Sequence, residues 1–235
     1  MSKTRCSIII PAREEGVSIL TTLLRIKEVV NIPFECIVVV DSSNDSTYRF
    51  VQDFHLDNQE FFCLVSNFGS GPASAIKFGI SNSSGSVVVI TMADGSDDPV
   101  IIPELVRLIE RGVVIAAASR YMPGGQQIGA PFIKSILSKL AGRTLFYFRR
   151  VGTKDPTNSF KAYSRDFLNQ VKIESQYGFE MGIELVAKAK RYSLPVAEIP
   201  TIWLERNYGN SNFKLWKWLP RYFRWYLYAF GPLRK

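Results

Sequence analysis

Residues Phe34–Thr47 read FECIVVVDSSNDST. The run Phe34–Val40 is dominated by β-branched and apolar residues without polar alternation, which is the pattern of a strand buried on both faces. It stops at Asp41. The Ser, Asn and Asp residues that follow are turn formers. Asp45 and Ser46 then stand as capping residues for a helix over Asp45–Asp53. Strand, acidic loop and helix make one unit, and the unit recurs on both sides of this stretch. Upstream, Cys6–Pro11 (CSIIIP) is a short strand ended by proline. Gly16–Val30 follows, with Ile19, Leu20, Leu23, Leu24 and Ile26 at helical spacing. Downstream come a strand at Phe61–Val65, a glycine-led helix at Gly69–Gly79 and a strand at Val87–Met92. An amphipathic helix at Ile101–Arg111 and a strand at Val113–Ser119 complete the series. Strands alternating with helices over 120 residues predict a mostly parallel, Rossmann-like α/β sheet with helices on both faces.

Beyond residue 120 the rhythm changes. A glycine-rich loop (Gly124–Gly129), a helix (Ile133–Phe148), a strand (Asn158–Tyr163), a helix (Phe179–Lys190) and a strand (Pro195–Trp203) are expected, then a polar turn at Arg206–Asn212. No linker or repeat interrupts the order. The chain therefore divides into one domain over 1–212 and a C-terminal basic, aromatic amphipathic helical segment over 213–235. In that segment Lys214, Lys217, Arg221 and Arg224 fall on one helical stripe beside nine aromatic residues. Trp, Tyr and basic stems favour a membrane–water interface, and a basic amphipathic helix lies on anionic lipid. A helix docked on the domain or on a partner subunit explains the same pattern.

Composition narrows the chemistry. With 46% hydrophobic residues in 235, the chain can bury a sizeable core. Its apolar runs are far shorter than the roughly 18 residues a spanning helix needs. No signal-peptide core is expected, because Pro11 and the Glu14–Glu15 pair interrupt the N-terminal region. Cys6, Cys36 and Cys63 lie in apolar runs without metal-ligand spacing and read as small buried hydrophobes. His55, the one histidine, stands in a polar stretch, so a histidine triad or histidine-bound metal is not expected. The net charge of +8 calls for an anionic partner, and the basic excess is C-terminal.

Ligands of open α/β sheets bind at the carboxyl ends of the strands. The segments there are Pro11–Glu15, Asp41–Thr47, Asn67–Gly71, Ala93–Pro99 and Ser119–Tyr121. Each also has a plain structural use: Ser43 and Asp45 as caps, Gly69 and Gly71 as turns, Glu14 as a solvated charge. Asp94, Asp97 and Asp98 form the densest group. Close carboxylates repel unless solvent or a cation separates them, and hard oxygens suit Mg²⁺ or Mn²⁺. A solvated acidic turn ahead of Ile101 is the alternative.

In order along the chain these segments resemble the family 2 glycosyltransferases, and among them the polyprenyl-phosphate enzymes related to dolichol-phosphate mannose synthase. Pro11-Ala12-Arg13-Glu14-Glu15 resembles the family's Pro-x-x-(Asn/Glu)-Glu. Val40–Thr47 is similar to Asp-Asp-Gly-Ser-x-Asp-Gly-Thr, with Val40 at its first Asp. Asn67–Ala73 resembles Asn-x-Gly-x-x-x-Ala, and Met92–Pro99 the Asp-x-Asp metal motif. Ser119-Arg120-Tyr121 with Gly124-Gly125, Asp155–Tyr163, Gly178-Phe179-Glu180 and Glu198–Ser211 follow in the family order. Met92 stands where the first metal Asp is expected, and a thioether is a poor ligand for a hard cation. Ser159 replaces a common glycine, and Asn212 a common lysine.

The resemblance implies a glycosyltransferase-A-type fold and an inverting transfer of a sugar from a nucleotide-diphosphate sugar to a polyprenyl (dolichyl or undecaprenyl) phosphate. It implies Mg²⁺ or Mn²⁺ held by Asp94 with Ser96, Asp97 or water, and diphosphate contacts from Arg120 and Arg206. The nucleotide is expected near Pro11, Arg13, Glu15 and Asp41, and the acceptor phosphate at Lys134 and Ser138. A phosphate acceptor is already ionised and needs no base. A hydroxyl acceptor needs one, with Asp155 or Glu180 as candidates. The expected setting is the cytoplasmic face of a membrane, held peripherally on its anionic surface without a spanning helix. A homo-oligomer or a membrane-protein partner fits as well, and nucleic acid is not expected. Transfer to a saccharide hydroxyl, nucleotidyl transfer on a similar sheet, or a non-catalytic basic membrane adaptor are the competing readings. Pro11–Glu15 lacks the glycine-rich, Lys-bearing loop of a nucleotidyltransferase. The absence of Gly-x-Gly-x-x-Gly after the first strand argues against a dehydrogenase.

Overall fold

The computed structural model describes residues 4–205 and 215–233. Its strands are β1 (Cys6–Pro11), β2 (Phe34–Val40), β3 (Phe61–Val65), β4 (Val87–Ile90), β5 (Ile115–Ser119), β6 (Gln126–Ile128), β7 (Lys161–Ser164), β8 (Val196–Pro200) and β9 (Ile202–Leu204). Its helices are α1 (Ile19–Val29), α2 (Ser46–Asp57), α3 (Pro72–Ser81), α4 (Ile102–Glu110), α5 (Phe132–Thr144), α6 (Arg165–Gln170), α7 (Met181–Arg191) and α8 (Leu215–Tyr228). Seven strands form the main sheet, in the order β3-β2-β1-β4-β7-β5-β8. β1 pairs in parallel with β2 and β4, β2 with β3, and β5 with β8. β7 runs antiparallel between β4 and β5.

The apolar strands have a core on each face. Cys6, Ile8, Ile10, Val38 and Val89 pack with Leu23 of α1, Val51 of α2 and Leu105 of α4. Ile9, Val39, Val88 and Tyr163 pack on the other face with Ile76 of α3, Phe167 of α6 and Leu185 of α7. Alternate residues of each strand therefore meet opposite layers, which explains why β1, β2 and β4 lack polar alternation. All three cysteines are buried thiols without a disulfide. Burial raises them, Cys63 to about 12, so they stay protonated and unreactive.

The strand order reverses between β1 and β4. The chain adds β2 and β3 on one side of β1, then returns to add β4 on the other, which opens a crevice at the carboxyl edge. Because β7 is antiparallel, the loop that precedes it arrives at this same edge. The stretch expected as one strand over Pro195–Trp203 is two. Pro200 ends β8, and Thr201 N–H donates to Ser119 O at 3.1 Å. The chain then leaves the main sheet as β9 and pairs with β6, inside the stretch expected as a glycine-rich loop. The helix expected over Ile133–Phe148 is α5 followed by a wider π turn at Leu145–Arg149.

α8 carries Pro220 within it. Trp225 and the nearby Ala229 are buried in the core shared with α7, whereas Phe223 and Leu227 are exposed. The C-terminal helix thus docks on the domain by one face. Two members of its expected basic stripe engage the domain itself: Arg221 stacks 3.9 Å from the Tyr177 ring, and Arg224 pairs with Glu174 at 3.1 Å. Lys214 and the Lys217 side chain lie outside the described residues, as does Arg206.

Candidate active site

Side chains and backbone amides stitch the carboxyl-edge loops together. Asp45 caps α2 by accepting from Thr47 N–H at 2.8 Å, and both of its oxygens accept from Glu14 N–H. Glu15 N–H donates to Thr47 Oγ1 at 3.0 Å. The loop after β1 is thereby fixed to the start of α2. Asp41 accepts from Gly71 N–H through both oxygens, at 3.1 and 3.2 Å, which joins the loops after β2 and β3. Gly71 has φ 98°, a left-handed conformation that a Cβ would strain.

These loops surround a cavity of about 440 Å³. Pro11, Arg13, Glu15 and Asp41 line it, as do Asp94, Ser96 and Arg120, and Lys134 and Ser138 of α5. Within the described residues, the expected nucleotide, cation and acceptor groups thus converge on one cavity, with Asp97 and Asp155 as exceptions. Both are buried beside it.

Asp155 is wholly buried and holds Arg120. Arg120 Nε donates to its Oδ2 at 2.7 Å, an NH2 proton goes to Oδ1 at 2.8 Å, and the Arg120 backbone N–H adds a third bond at 3.0 Å. Burial opposes both charges, but each stabilises the other. The pair holds the Asp155 carboxyl below the usual range and the guanidinium above its own. A carboxylate so engaged orients Arg120 and is a poor general base. Arg120 also lies 5.0 Å from the Tyr121 ring and 6.0 Å from the Trp203 ring. Its NH2 group reaches toward Ser138 Oγ and Thr157 Oγ1, which are 2.6 Å from each other. The alternative base, Glu180, is 2% exposed, and its Oε2 has no hydrogen-bond partner among the described residues.

The acidic turn after β4 is not a uniform cluster. Asp94 lines the cavity and accepts from Ser96 N–H at 3.1 Å. Asp98 caps the turn before α4 through Val100 N–H. Asp97 turns back, accepting through Oδ2 from Thr91 Oγ1 and Met92 N–H, at 3.2 and 3.1 Å. Its other oxygen is buried without a partner among the described residues, and burial lifts the carboxyl to about 7. Met92 contacts Ser159 through sulfur. Among the described residues no group of three His, Cys, Asp or Glu side chains could enclose a metal. Asp94 with water and phosphate oxygens is a donor set for a hard cation that arrives on a diphosphate.

α5 has two unlike faces. Lys134, Leu137, Ser138 and Ala141 line the cavity. Phe132, Ile133, Ile136 and Leu140 are exposed, Phe132 by 78%, with Lys139 and Arg143 exposed beside them. Ile128, Ile202 and Leu204 add exposed apolar surface from β6 and β9. Burial lowers the Lys134 ammonium from its ordinary value. Gly142 brings α5 against Lys154, where a Cβ would collide with the carbonyl oxygen. Thr157, Trp203, Trp218 and Tyr222 also line the cavity. Read from sequence, none of these four has a site role: Thr157 is read only as part of the Asp155–Tyr163 motif, Trp203 as the end of a strand, and Trp218 and Tyr222 as interfacial aromatics.

Residues 7–172 match the family described as Glycosyl transferase family 2. The chain is 30% identical over 214 residues to the dolichol-phosphate mannosyltransferase of Pyrococcus furiosus, covering 89% of this chain and 59% of that protein. It is 30% identical over 182 residues to the polyprenol monophosphomannose synthase of Mycolicibacterium smegmatis, covering 75% of this chain and 69% of the relative. It thus spans well under two thirds of the Pyrococcus protein's length. Among solved structures, the glucosyl-3-phosphoglycerate synthase of Mycobacterium tuberculosis, in complex with Mn²⁺, UDP and glucosyl-3-phosphoglycerate, superposes with a TM-score of 0.69 at 19% identity. The match covers 100% of this chain and 82% of that one. The expected glycosyltransferase-A-type sheet is the fold this chain shares with that synthase.

Proposed function

The chain belongs to glycosyl transferase family 2, and from that premise we propose that it transfers a sugar from a nucleoside-diphosphate sugar to a polyprenyl phosphate at a membrane surface. One observation carries the reading: α5 turns Lys134 and Ser138 into the cavity while exposing Phe132, Ile133, Ile136 and Leu140 outside it. A phosphate headgroup can meet the cation inside while its hydrocarbon stays on the apolar side. The names of the two relatives, both enzymes of polyprenyl-type phosphates, support the same acceptor.

In this reading the nucleoside lies along Pro11, Arg13, Glu15 and Asp41. Arg120, held flat by Asp155, offers its remaining N–H groups to the leaving diphosphate, a geometry suited to bidentate phosphate contact. Arg206 is assigned the same task and lies outside the described residues. Asp94 with Ser96 would hold Mg²⁺ or Mn²⁺, which neutralises charge developing on the diphosphate. Asp97 supports this turn from beneath. Lys134 and Ser138 hold the acceptor phosphate, whose oxygen is already ionised and attacks without a base. The sugar's bond to the diphosphate oxygen breaks as the new bond forms on the opposite face, inverting the anomeric centre. The apolar outer face of α5 with Lys139 and Arg143 rests peripherally in the headgroup layer. Among the described residues no helix is long and apolar enough to cross a membrane. Transfer to a hydroxyl would require Glu180 as the base, since Asp155 is committed to Arg120.

The test is incubation with membranes and a panel of radiolabelled nucleotide sugars. Label from at least one donor is expected in the organic extract, and its loss in Asp94→Asn is expected to be severe. Absence of label from every donor, with transfer to a saccharide instead, overturns the acceptor assignment.

A further inference from the structure

Lys161 is a buried lysine that the reaction above does not use. It stands in the middle of the main sheet, opposite Ile90 of β4 and Ala117 of β5. Its residue exposure is 0%. Phe160 and Ala162 enter one core and Tyr163 the other, so Lys161 projects toward the α7 face, where Gly182 of the first α7 turn lies beside Nζ. Carrying an ammonium there is expensive twice over. The site is dry, and the start of a helix is electropositive.

Its partners explain why it is there. Nζ donates to Pro156 O at 3.2 Å and to Asn158 O. Those carbonyls belong to the loop that carries Asp155 under Arg120 and turns Thr157 and Asn158 toward the cavity. The loop is also tied to β5 by Asn158 Nδ2 to Ala118 O at 2.9 Å and closed on itself by Asn158 N–H to Asp155 Oδ1 at 3.2 Å. The loop is therefore held at two points, by Lys161 Nζ on its carbonyls and by Ala118 O on the Asn158 amide.

We infer that Lys161 is a positioning residue: by fixing the Pro156 and Asn158 carbonyls it sets the Asp155 carboxylate, and through it the orientation of Arg120 toward the donor diphosphate. This rests on the reading that Arg120 meets that diphosphate. Burial lowers Lys161 to about 7. Asp155 and Asp97 support its charge, Arg120 opposes it, and Glu180 lies buried at the start of α7. Its grip weakens as pH rises through that value, because a neutral amine binds carbonyls less strongly.

The experiment measures affinity for UDP and GDP by calorimetry in wild type, Lys161→Met, Lys161→Arg and Arg120→Gln, with folding checked by circular dichroism. Lys161→Met is expected to lose roughly tenfold or more in affinity for whichever nucleotide binds, the scale of a charge-assisted hydrogen bond. It should retain the far-UV spectrum. Lys161→Arg keeps its charge at every pH, so the ratio of wild-type to Lys161→Arg affinity should fall between pH 6 and 8.5, in units that cancel the ligand's own ionisation. A Lys161→Met protein with wild-type affinity overturns the inference. So does wild-type affinity in Lys161→Gln, measured in its place if Lys161→Met does not fold. If Arg120→Gln binds as well as wild type, the reading of Arg120 fails and this inference with it. If only Arg120→Gln loses affinity, the inference alone fails.

Discussion

At the scale of single residues, the site is built on pairs in which one member works and the other holds it. Arg120 and Asp155 are the central pair. Removing the carboxylate leaves a buried guanidinium unpaired, which costs about 3–5 kcal/mol. Asp155→Asn should therefore lower the melting temperature as well as activity, whereas a base on an otherwise ordinary scaffold would lower activity alone. Thermal melts of the two proteins at pH 7 check this. The pair also sets an acid limit. The folded carboxyl lies below its ordinary value, so its contribution to stability is present above the unfolded-state pKa and is lost as pH falls through the lowered folded one. Lys134 behaves in the opposite sense. Burial lowers its pKa, so the ammonium assigned in the proposed reading to the acceptor phosphate is lost as pH rises, and earlier than for an exposed lysine. The alkaline limb of the acceptor kcat/KM profile should move upward in Lys134→Arg, whose charge persists, if the variant still binds acceptor. An unmoved limb would show that another group sets it.

At the scale of elements, α5 is the piece that in the proposed reading joins donor and acceptor sides. Its Ser138 touches Thr157 at 2.6 Å, and its Gly142 lies against Lys154. Gly142→Val should push the helix off the 154–157 loop and raise the acceptor KM far more than it weakens nucleotide binding, since Arg13 and Asp41 sit on other elements. Equal effects on both would argue that α5 and the nucleotide wall move as one body. The elements differed in how readily their sequences could be read. β1, β2 and β4 announce themselves because both faces of each strand are buried, so every position but Ser7 and Glu35 is apolar. α1 and α4 show one apolar face at helical spacing. The short strands β6 and β9 leave no period to detect, and β8 and β9 read as one run because Pro200 breaks the sheet without breaking hydrophobicity. The direction of β7 is invisible in its residues, yet it delivers Asp155 and Thr157 to the site edge. The same limit governs Asp97, which sits in an acidic run like Asp94 but turns toward Thr91 and Met92, a difference fixed by backbone geometry.

At the scale of the whole molecule, a net charge of +8 and the exposed apolar face of α5 are both compatible with the proposed anionic membrane surface. The basic aromatic C-terminal helix is the obvious membrane element in the sequence, but Trp225 is buried against the domain and Arg221 and Arg224 are engaged with Tyr177 and Glu174. A second exposed apolar surface lies on α5, with Ile128, Ile202 and Leu204 exposed on β6 and β9. Lys139 and Arg143 accompany it, each worth about 1 kcal/mol near anionic headgroups. Full burial of an Ile or Leu side chain contributes roughly 1.5–3 kcal/mol. The apolar contribution thus exceeds the electrostatic one, so binding should weaken with salt but survive it. Replacing Ile133, Ile136 and Leu140 together by Glu should release the protein from anionic liposomes in flotation assays and depress transfer to a long-chain lipid phosphate. Nucleotide affinity should hold, because these side chains point away from the cavity. Transfer to a short, water-soluble phosphate analogue should hold for the same reason. Unchanged flotation of the triple variant would assign the surface to another partner, and loss of nucleotide affinity would mean that α5 had been displaced instead of merely losing its contact with lipid.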